Sequence, residues 1–197
     1  MAKRMLRSAS LILALLVLIV LGLTGYYLVR VAPLKRAGKQ AGVYASVSDR
    51  PLVTAFGYET ENGLRRSIAG LNGKVVVMDV WATWCGTCLY RIPKMVELRN
   101  KYRDKPVELV GLDVDDGGWT KVKPFLQGHA EINYTLAVPY PASSFQLKSI
   151  VDLEPLGEVS ALPTVFIVDR QGRLAGKFIE NGHEQEIDDL VARLLNE

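Results

Sequence analysis

The chain has 197 residues, of which 49% are hydrophobic and 23% are charged. This length allows one ordinary domain and an additional segment, because single domains usually contain about 100–150 residues. Residues 1–39 hold seven Lys/Arg and no acidic residue, whereas residues 40–197 hold 17 Lys/Arg against 21 Asp/Glu. The basic excess therefore flanks an apolar N-terminal stretch, where it would meet lipid head groups. The remainder of the chain is mildly acidic, which disfavours a nucleic-acid-binding surface there.

A long apolar run occupies the N-terminal part of the chain. No charged side chain occurs from Ser8 to Val29, so we predict a transmembrane helix over residues 8–29 after a basic tail at residues 1–7. Its 22 residues would form a helix of roughly 33 Å, enough to cross a bilayer core of about 30 Å. A cleaved signal peptide is the alternative, but the run is long for one and no clear small-residue cleavage site follows it.

Residues 30–50 contain glycine, lysine and other polar residues, and they are predicted to form a tether to a globular domain over residues 51–197. Lys and Arg flank the apolar run about equally on both sides, so the positive-inside rule gives no orientation. The side of the membrane on which the domain lies therefore has to be inferred from its chemistry.

Within the domain, a strand pattern is followed directly by a helical pattern. A nearly continuous apolar run from Lys74 to Trp81 predicts a strand that is buried on both faces. Apolar residues then recur at helical spacing and predict a helix: Leu89, Ile92, Met95, Val96, Leu98 and Tyr102. The two cysteines, Cys85 and Cys88, therefore lie where a buried strand turns into a helix.

The rest of the domain continues this alternation. Strands are predicted at residues 107–114, 134–138, 164–168 and 174–179, and short helices near residues 121–127 and 146–151. The last two strands form a hairpin around a glycine-containing turn, and a C-terminal amphipathic helix covers the sheet. This order of elements predicts an α/β domain with a mixed sheet.

Cys85 and Cys88 are separated by Gly86 and Thr87, which makes a CxxC motif. A cysteine in the first turn of a helix lies beside unpaired N–H groups and the positive end of the helix dipole, which favour the thiolate. CxxC motifs commonly lower the thiol pKa from about 8.5 towards about 7. We predict that Cys85, nearer the solvent, is the attacking thiolate and that Cys88, one turn later, is the resolving thiol.

A metal site is the main alternative for such a pair. A structural zinc site needs about four ligands, and the other candidates are His129 and His183, both expected at the surface. Asp113, Asp115 and Asp116 follow a strand and are expected to form a solvated turn rather than a cation site. The sequence therefore predicts no metal and no cofactor other than the redox-active cysteine pair.

The segment from Asp79 to Cys88 resembles the active site of the thioredoxin family. Asp79 matches the buried aspartate that assists proton transfer to and from the second cysteine, and Pro93 matches the proline that kinks the active-site helix. Leu162-Pro163, just before a strand, resembles the cis-proline loop that faces the cysteines. The resemblance thus implies a thioredoxin fold and a catalytic role for Asp79 beside the two cysteines.

The same resemblance implies a groove for the substrate. With Leu162 extended, its backbone would pair with a substrate strand as in β-augmentation, and Trp84 would form the apolar wall of the groove. Gly86 and Thr87, between the cysteines, and Pro163 complete the predicted substrate-binding residues.

Within this family, the chain most resembles the membrane-anchored TlpA/ResA-type branch, which includes cytochrome c maturation reductases. That branch has an N-terminal anchor and an insertion before the cis-proline, and here 75 positions separate Cys88 from Pro163. The branch implies a single-pass protein of the inner (cytoplasmic) membrane, with the catalytic domain on the periplasmic or extracytoplasmic side. The implied partners are disulfide-containing proteins, a membrane thiol reductant and the bilayer, and not nucleic acid.

Two positions depart from the usual pattern of this branch. Asp79 replaces the neutral residue common there, and Thr87 replaces the commoner proline, so the direction of electron flow stays open. The lysine that neighbours the aspartate in thioredoxins has no counterpart, and Gly111 is the nearest equivalent position. We therefore expect Asp79 to lack a cationic partner, and burial should raise its pKa.

The favoured interpretation is an enzyme that reduces protein disulfides by dithiol exchange. In this interpretation Cys85 attacks, Cys88 resolves and Asp79 moves the proton on Cys88. The alternatives are a copper-binding chaperone with the same fold, an oxidising disulfide-forming protein and a non-catalytic holdase. The CxxC spacing disfavours the copper chaperone, which typically has a CxxxC pair with a nearby histidine.

Overall fold

The computed structural model describes residues 17, 19–22, 41–44, 46–140, 151–153 and 156–197. The chain divides into two units, Met1–Lys39 and Gln40–Glu197. In the first unit residues 17 and 19–22 are helical; the predicted basic tail and most of the predicted anchor lie outside the described residues. Among the residues described, we find no helix with the length and hydropathy that crossing a bilayer requires.

In the described part of the second unit, eight strands form one mixed sheet and two more form a separate antiparallel pair. The strands are β1 (Ala41–Val43), β2 (Gly57–Thr60), β3 (Arg65–Ser67), β4 (Val75–Trp81), β5 (Val107–Asp113), β6 (Thr135–Pro139), β7 (Val151–Leu153), β8 (Gly157–Val159), β9 (Thr164–Val168) and β10 (Leu174–Ile179). The large sheet has the order β1-β10-β9-β4-β5-β6-β2-β3, and β7 pairs with β8. The predicted mixed sheet is confirmed.

Strand β4 lies in the middle of the large sheet. It runs parallel to β5 and antiparallel to β9, and every residue of β4 is buried. A strand covered on both faces has no solvent-facing side chains, which explains its continuous apolar run. Asp79 is the one ionisable residue in this strand.

In the part of the second unit that the structure describes, three α-helices cover the sheet: α1 (Gly86–Lys101), α2 (Trp119–Leu126) and α3 (Glu184–Asn196). Val77 of β4 belongs to a core cluster with Met95 of α1 and with apolar residues of α3. Met78 belongs to the opposite cluster with Val122 of α2. Alternate side chains of a strand point to the same face, so Asp79 lies on the face covered by α1 and α3.

The predicted strands agree with the structure to within one residue, whereas two predictions differ. The domain begins before residue 51, because residues 41–43 of the predicted tether form β1 and pair with β10. Val151, predicted at the end of a short helix, begins strand β7, and residues 146–150 lie outside the described residues.

A buried ion pair centred on Arg50 ties the segment between β1 and β2 to the rest of the domain. The buried Arg50 Nη1 lies 3.0 Å from Asp169 Oδ2 and 2.7 Å from Glu197 Oε2. Asp169 Oδ1 also accepts the backbone N–H groups of Gln171 and Arg173 in the β9–β10 turn. Arg50 therefore joins the segment before β2 to the hairpin turn and to the last residue of the chain.

We expect Arg50→Met to destabilise the domain by about 3 kcal/mol, because removing one partner leaves the buried Asp169 carboxylate without its cation. Urea unfolding of the wild type and of Arg50→Met measures the difference in the free energy of unfolding. Arg103→Met is the matched control, because Arg103 and its partner Asp104 are both largely exposed and such pairs contribute at most about 1 kcal/mol. Equal losses in the two variants would contradict a structural role for the Arg50 pair.

Candidate active site

Cys85 and Cys88 form a disulfide with an S–S distance of 2.02 Å at the N-terminus of α1. Cys85 is the N-cap residue, and its Sγ accepts the Cys88 N–H at 3.2 Å. Cys85 is 6% exposed and Cys88 is 1% exposed. After reduction the same N–H and the helix dipole would stabilise a thiolate at Cys85, and Cys85 is the sulfur that a partner meets first.

The Leu162–Pro163 peptide bond is cis, as the resemblance to thioredoxins implied. The loop lies against the CxxC motif, because Thr87 Oγ1 is 3.5 Å from the Leu162 carbonyl oxygen. The same hydroxyl is 3.4 Å from Cys85 Sγ. Thr87 therefore connects the cis-proline loop to the sulfur that the sequence predicts as the nucleophile.

The surface around Cys85 is open and partly apolar. The Trp84 side chain is 61% exposed, and that of Tyr90, on the first turns of α1, is 75% exposed. A Cβ added at Gly86 would meet no atom within 4 Å. The structure thus leaves open space at Gly86 beside the disulfide, and the role of Trp84 as the wall of a groove stays a prediction.

Asp79 has a cationic partner, which corrects the prediction from the sequence. Arg91 Nη1 lies 3.6 Å from Asp79 Oδ1, and both side chains are buried. Arg91 follows Cys88 by three residues, so the two side chains share one face of α1. Burial raises the pKa of Asp79 to about 7, although the charge of Arg91 opposes the rise; the expected direction is therefore confirmed.

The packing beside Asp79 explains why its cation comes from the helix. Gly111 of β5 is the residue that pairs with Asp79 across the parallel strands. A Cβ at Gly111 would lie 2.7 Å from Leu136 Cδ2 and 2.9 Å from Tyr134 Cε2. A lysine at this position would need extensive repacking, whereas Arg91 reaches the carboxylate from α1.

Acidic residues at the end of β5 and just after it support the loop that precedes the cysteines. Asp113 and Asp115 are buried, contrary to the predicted solvated turn, and Asp116 is exposed. Asp115 Oδ2 accepts the Thr83 N–H at 2.7 Å, and Asp113 Oδ1 accepts the Asp115 N–H at 3.0 Å. Burial and the neighbouring Asp115 raise the pKa of Asp113 to about 8. The pair thus fixes the backbone just before Trp84.

The two histidines occupy different environments. His183 is buried, contrary to the prediction of a surface residue, and its Nδ1 lies 2.7 Å from Glu186 Oε2. His129 is partly exposed and stacks on Phe125. Among the described residues, no three His, Cys, Asp or Glu side chains lie where they could hold one metal ion.

A profile of the Redoxin family matches residues 47–194. The chain belongs to the Redoxin family. The thiol-disulfide oxidoreductase ResA of Bacillus cereus is 27% identical over 132 residues, which cover 67% of this Redoxin-family chain and 70% of that protein. The thioredoxin-like protein YneN of Bacillus subtilis is 26% identical over 182 residues, covering 88% and 94%.

A solved structure shares the fold of this Redoxin-family chain. A secreted thiol-disulfide isomerase from Corynebacterium glutamicum superposes with a TM-score of 0.63 at 19% identity, covering 81% of this chain and 94% of that one. The comparisons confirm the predicted thioredoxin fold. With the disulfide observed here, they also confirm the predicted thiol–disulfide oxidoreductase.

The Thr87 hydroxyl has one proton, which it donates to the Leu162 carbonyl oxygen in the oxidised protein and can turn towards a Cys85 thiolate 3.4 Å away. We therefore expect Thr87→Val to raise the pKa of Cys85 in the reduced domain by about 0.5–1 pH unit, because valine offers the thiolate no donor. Titration of the thiolate by its ultraviolet absorbance measures this change. Thr87→Ser keeps the hydroxyl and is the matched control. A Thr87→Val titration that overlays that of the wild type would rule out stabilisation of the thiolate by Thr87.

We expect the oxidised domain to lose stability as the pH rises from about 4 to about 7, because Asp79 holds its proton more tightly in the folded than in the unfolded state. A pKa that rises from 3.8 to about 7 corresponds to a loss on the order of 4 kcal/mol. The raised pKa of Asp113 also makes the folded state lose stability as the pH rises, up to about pH 8. Asp79→Asn should remove only the part of this stability loss that ends near pH 7.

Urea unfolding of the oxidised protein between pH 4 and pH 8 measures this dependence. Asp116→Asn, at an exposed position, is the control and should leave the slope unchanged. If the free energy of unfolding of Asp79→Asn changed with pH as steeply as that of the wild type, Asp79 would not be the group that takes up the proton.

Proposed function

We propose that this chain is a membrane-anchored, extracytoplasmic enzyme that reduces protein disulfides by dithiol exchange. One observation carries the proposal: the Cys85–Cys88 disulfide lies at the N-terminus of α1, against a cis-proline loop and on the same helix as the cation of a buried Asp79. The more exposed sulfur is positioned to attack, and a proton acceptor lies on the face of the sheet that α1 covers. These are the parts that a two-step exchange requires.

The first step forms a mixed disulfide. The Cys85 thiolate of the reduced enzyme attacks one sulfur of a substrate disulfide. The substrate S–S bond breaks, a bond between Cys85 and the substrate forms, and the second substrate sulfur leaves as a thiolate that takes a proton from water. An extended substrate segment would lie along Leu162 and beside Trp84, where the surface is open.

The second step returns the pair to the observed disulfide. The Cys88 thiol transfers its proton to the Asp79 carboxylate, directly or through water, and the resulting thiolate attacks Cys85 Sγ. The mixed disulfide breaks, the first substrate sulfur leaves as a thiolate, and two electrons have passed from enzyme to substrate. A carboxyl group with a pKa of about 7 is suited to accepting and releasing this proton near neutral pH.

The surroundings of Cys85 support reduction rather than oxidation. An oxidising couple requires strong stabilisation of its reduced form. Within the described residues, the hydrogen-bonding partners of Cys85 Sγ are the Cys88 N–H and the Thr87 hydroxyl, both uncharged. Arg91, the first cation along α1, is paired with Asp79. The thiolate therefore receives only moderate stabilisation, as expected of a reductant.

The proposed location follows from the sequence of the N-terminal segment. Residues 8–29 contain no charged side chain, and a helix of this length would anchor the domain in the inner membrane. A dithiol that works outside the cytoplasm needs a source of electrons, so we propose a membrane thiol reductant as the donor. Disulfide-containing substrates are also common in that compartment.

We expect the full chain in detergent to accelerate the precipitation of insulin by dithiothreitol, because the enzyme dithiol reduces the interchain disulfides. Cys85→Ser should give only the rate of dithiothreitol alone. Cys88→Ser should instead accumulate mixed disulfides through Cys85, since the resolving thiol is missing. Turbidity and non-reducing electrophoresis measure the two outcomes.

The matched serine variants separate the two roles, because each removes one sulfur and leaves the other. No acceleration by the wild type would contradict a general disulfide reductase. Mixed disulfides in Cys85→Ser but not in Cys88→Ser would reverse the assignment of nucleophile and resolving thiol.

A further inference from the structure

Arg91 is the largest of the fully buried side chains in the described part of the chain. Burying a guanidinium group is costly unless its N–H groups find partners. Beyond the ion pair with Asp79, its Nε donates to Asn181 Oδ1 at 2.9 Å and its Nη2 donates to the Glu180 carbonyl oxygen. Arg91 thus connects α1 to β4 and to the segment that follows β10.

The two partners after β10 lead back to the active site. Asn181 Nδ2 donates to the Thr87 carbonyl oxygen at 3.0 Å. The Glu180 N–H donates to the Pro163 carbonyl oxygen at 2.8 Å. Arg91 therefore reaches the CxxC backbone through Asn181 and the cis-proline loop through Glu180.

Glu180 has an unusual backbone conformation within this set of contacts. Glu180 has a φ of 66°, in the left-handed region that side chains other than glycine rarely adopt. Its N–H and its carbonyl group are both bonded, the first to Pro163 and the second to Arg91. The contacts on both sides of Glu180 hold this conformation between the helix and the loop.

We propose that Arg91 is a positioning residue for disulfide exchange, which is joined to Asp79 by an ion pair and to the cis-proline loop and the CxxC backbone by hydrogen bonds through Glu180 and Asn181. This inference rests on the proposed function, because it assigns Arg91 a part in that reaction. In the contacts described, Arg91 reaches the active site through Asp79, Glu180 and Asn181, and so it acts through them. Its charge holds the Asp79 carboxyl group in a state that accepts a proton from Cys88.

The charged and titratable groups around this pair come from several elements. Tyr134, which precedes β6, lies near Asp79, and burial and then the charge of Asp79 raise its pKa, so it stays neutral. Glu184 of α3 also experiences the charge of Arg91: burial opposes the change, but backbone hydrogen bonds and then Arg91 lower its pKa. Cys88 lies one turn before Arg91 on α1. The loss of Arg91 would therefore act most directly on Asp79.

The ionisation of Asp79 tests this role without any substrate. The oxidised full chain, labelled with ¹³C at the aspartate carboxyl carbons and held in detergent, is titrated by NMR. Arg91→Met should raise the Asp79 midpoint by at least about one pH unit, since an opposite charge at this distance lowers a carboxyl pKa by about 1–3 units. Arg91→Lys keeps the charge and should stay closer to the wild type.

Lys94→Met is the matched control, because Lys94 lies one turn further along α1 and pairs only with the exposed Glu97 in the described contacts. It should leave the Asp79 midpoint unchanged. An Arg91→Met midpoint equal to that of the wild type would overturn the proposal even if insulin is reduced. A shifted midpoint in a protein that reduces no disulfide would instead contradict the proposed function.

A milder variant tests the connection to the CxxC backbone if Arg91→Met does not fold. Asn181→Ala removes the link between Arg91 and Thr87 and leaves the pair with Asp79 intact. We expect it to slow the reaction of the reduced full chain with oxidised glutathione about fivefold, the equivalent of one hydrogen bond, without a shift of the Asp79 midpoint. An unchanged rate would overturn the positioning role of this network.

Discussion

The ion pair between Asp79 and Arg91 constrains the region around the disulfide. Asp79 lies in a strand whose other residues are apolar, so its carboxyl group requires either a proton or a cation. Arg91 supplies the cation from α1, one turn after Cys88, at 3.6 Å. The helix that carries the cysteines therefore places a buried cation beside Asp79, in addition to its apolar contacts with the sheet such as that of Met95.

The same pair sets the pH range in which Asp79 can exchange a proton. A carboxyl group with a pKa of about 7 changes protonation in the range where a resolving thiol has to lose its proton. Cys85, in contrast, receives its stabilisation from a backbone N–H and a hydroxyl at the helix N-terminus. The two sulfurs thus lie in different environments, one suited to attack and the other to resolution.

The sequence predicted the five longest strands, the main helices and the cysteine pair, because apolar periodicity and a short motif are local signals. It did not predict the short strands β1, β2, β3, β7 and β8. It missed Arg91, since a basic residue within an amphipathic helix suggests a solvent-facing position, although its spacing of three from Cys88 placed it on the buried face. Asn181 lies 90 residues from Arg91, and no local pattern predicts such a contact. The burial of Asp115 likewise depends on Thr83 in another loop.

The reduction potential of the Cys85–Cys88 couple tests the proposed direction of electron flow most directly. It is measured by equilibrating the full chain in detergent with mixtures of reduced and oxidised dithiothreitol or glutathione and quantifying the disulfide. We expect a reducing couple, near the value of about −270 mV for thioredoxin. A potential near the value of about −120 mV for a strong oxidant would contradict it.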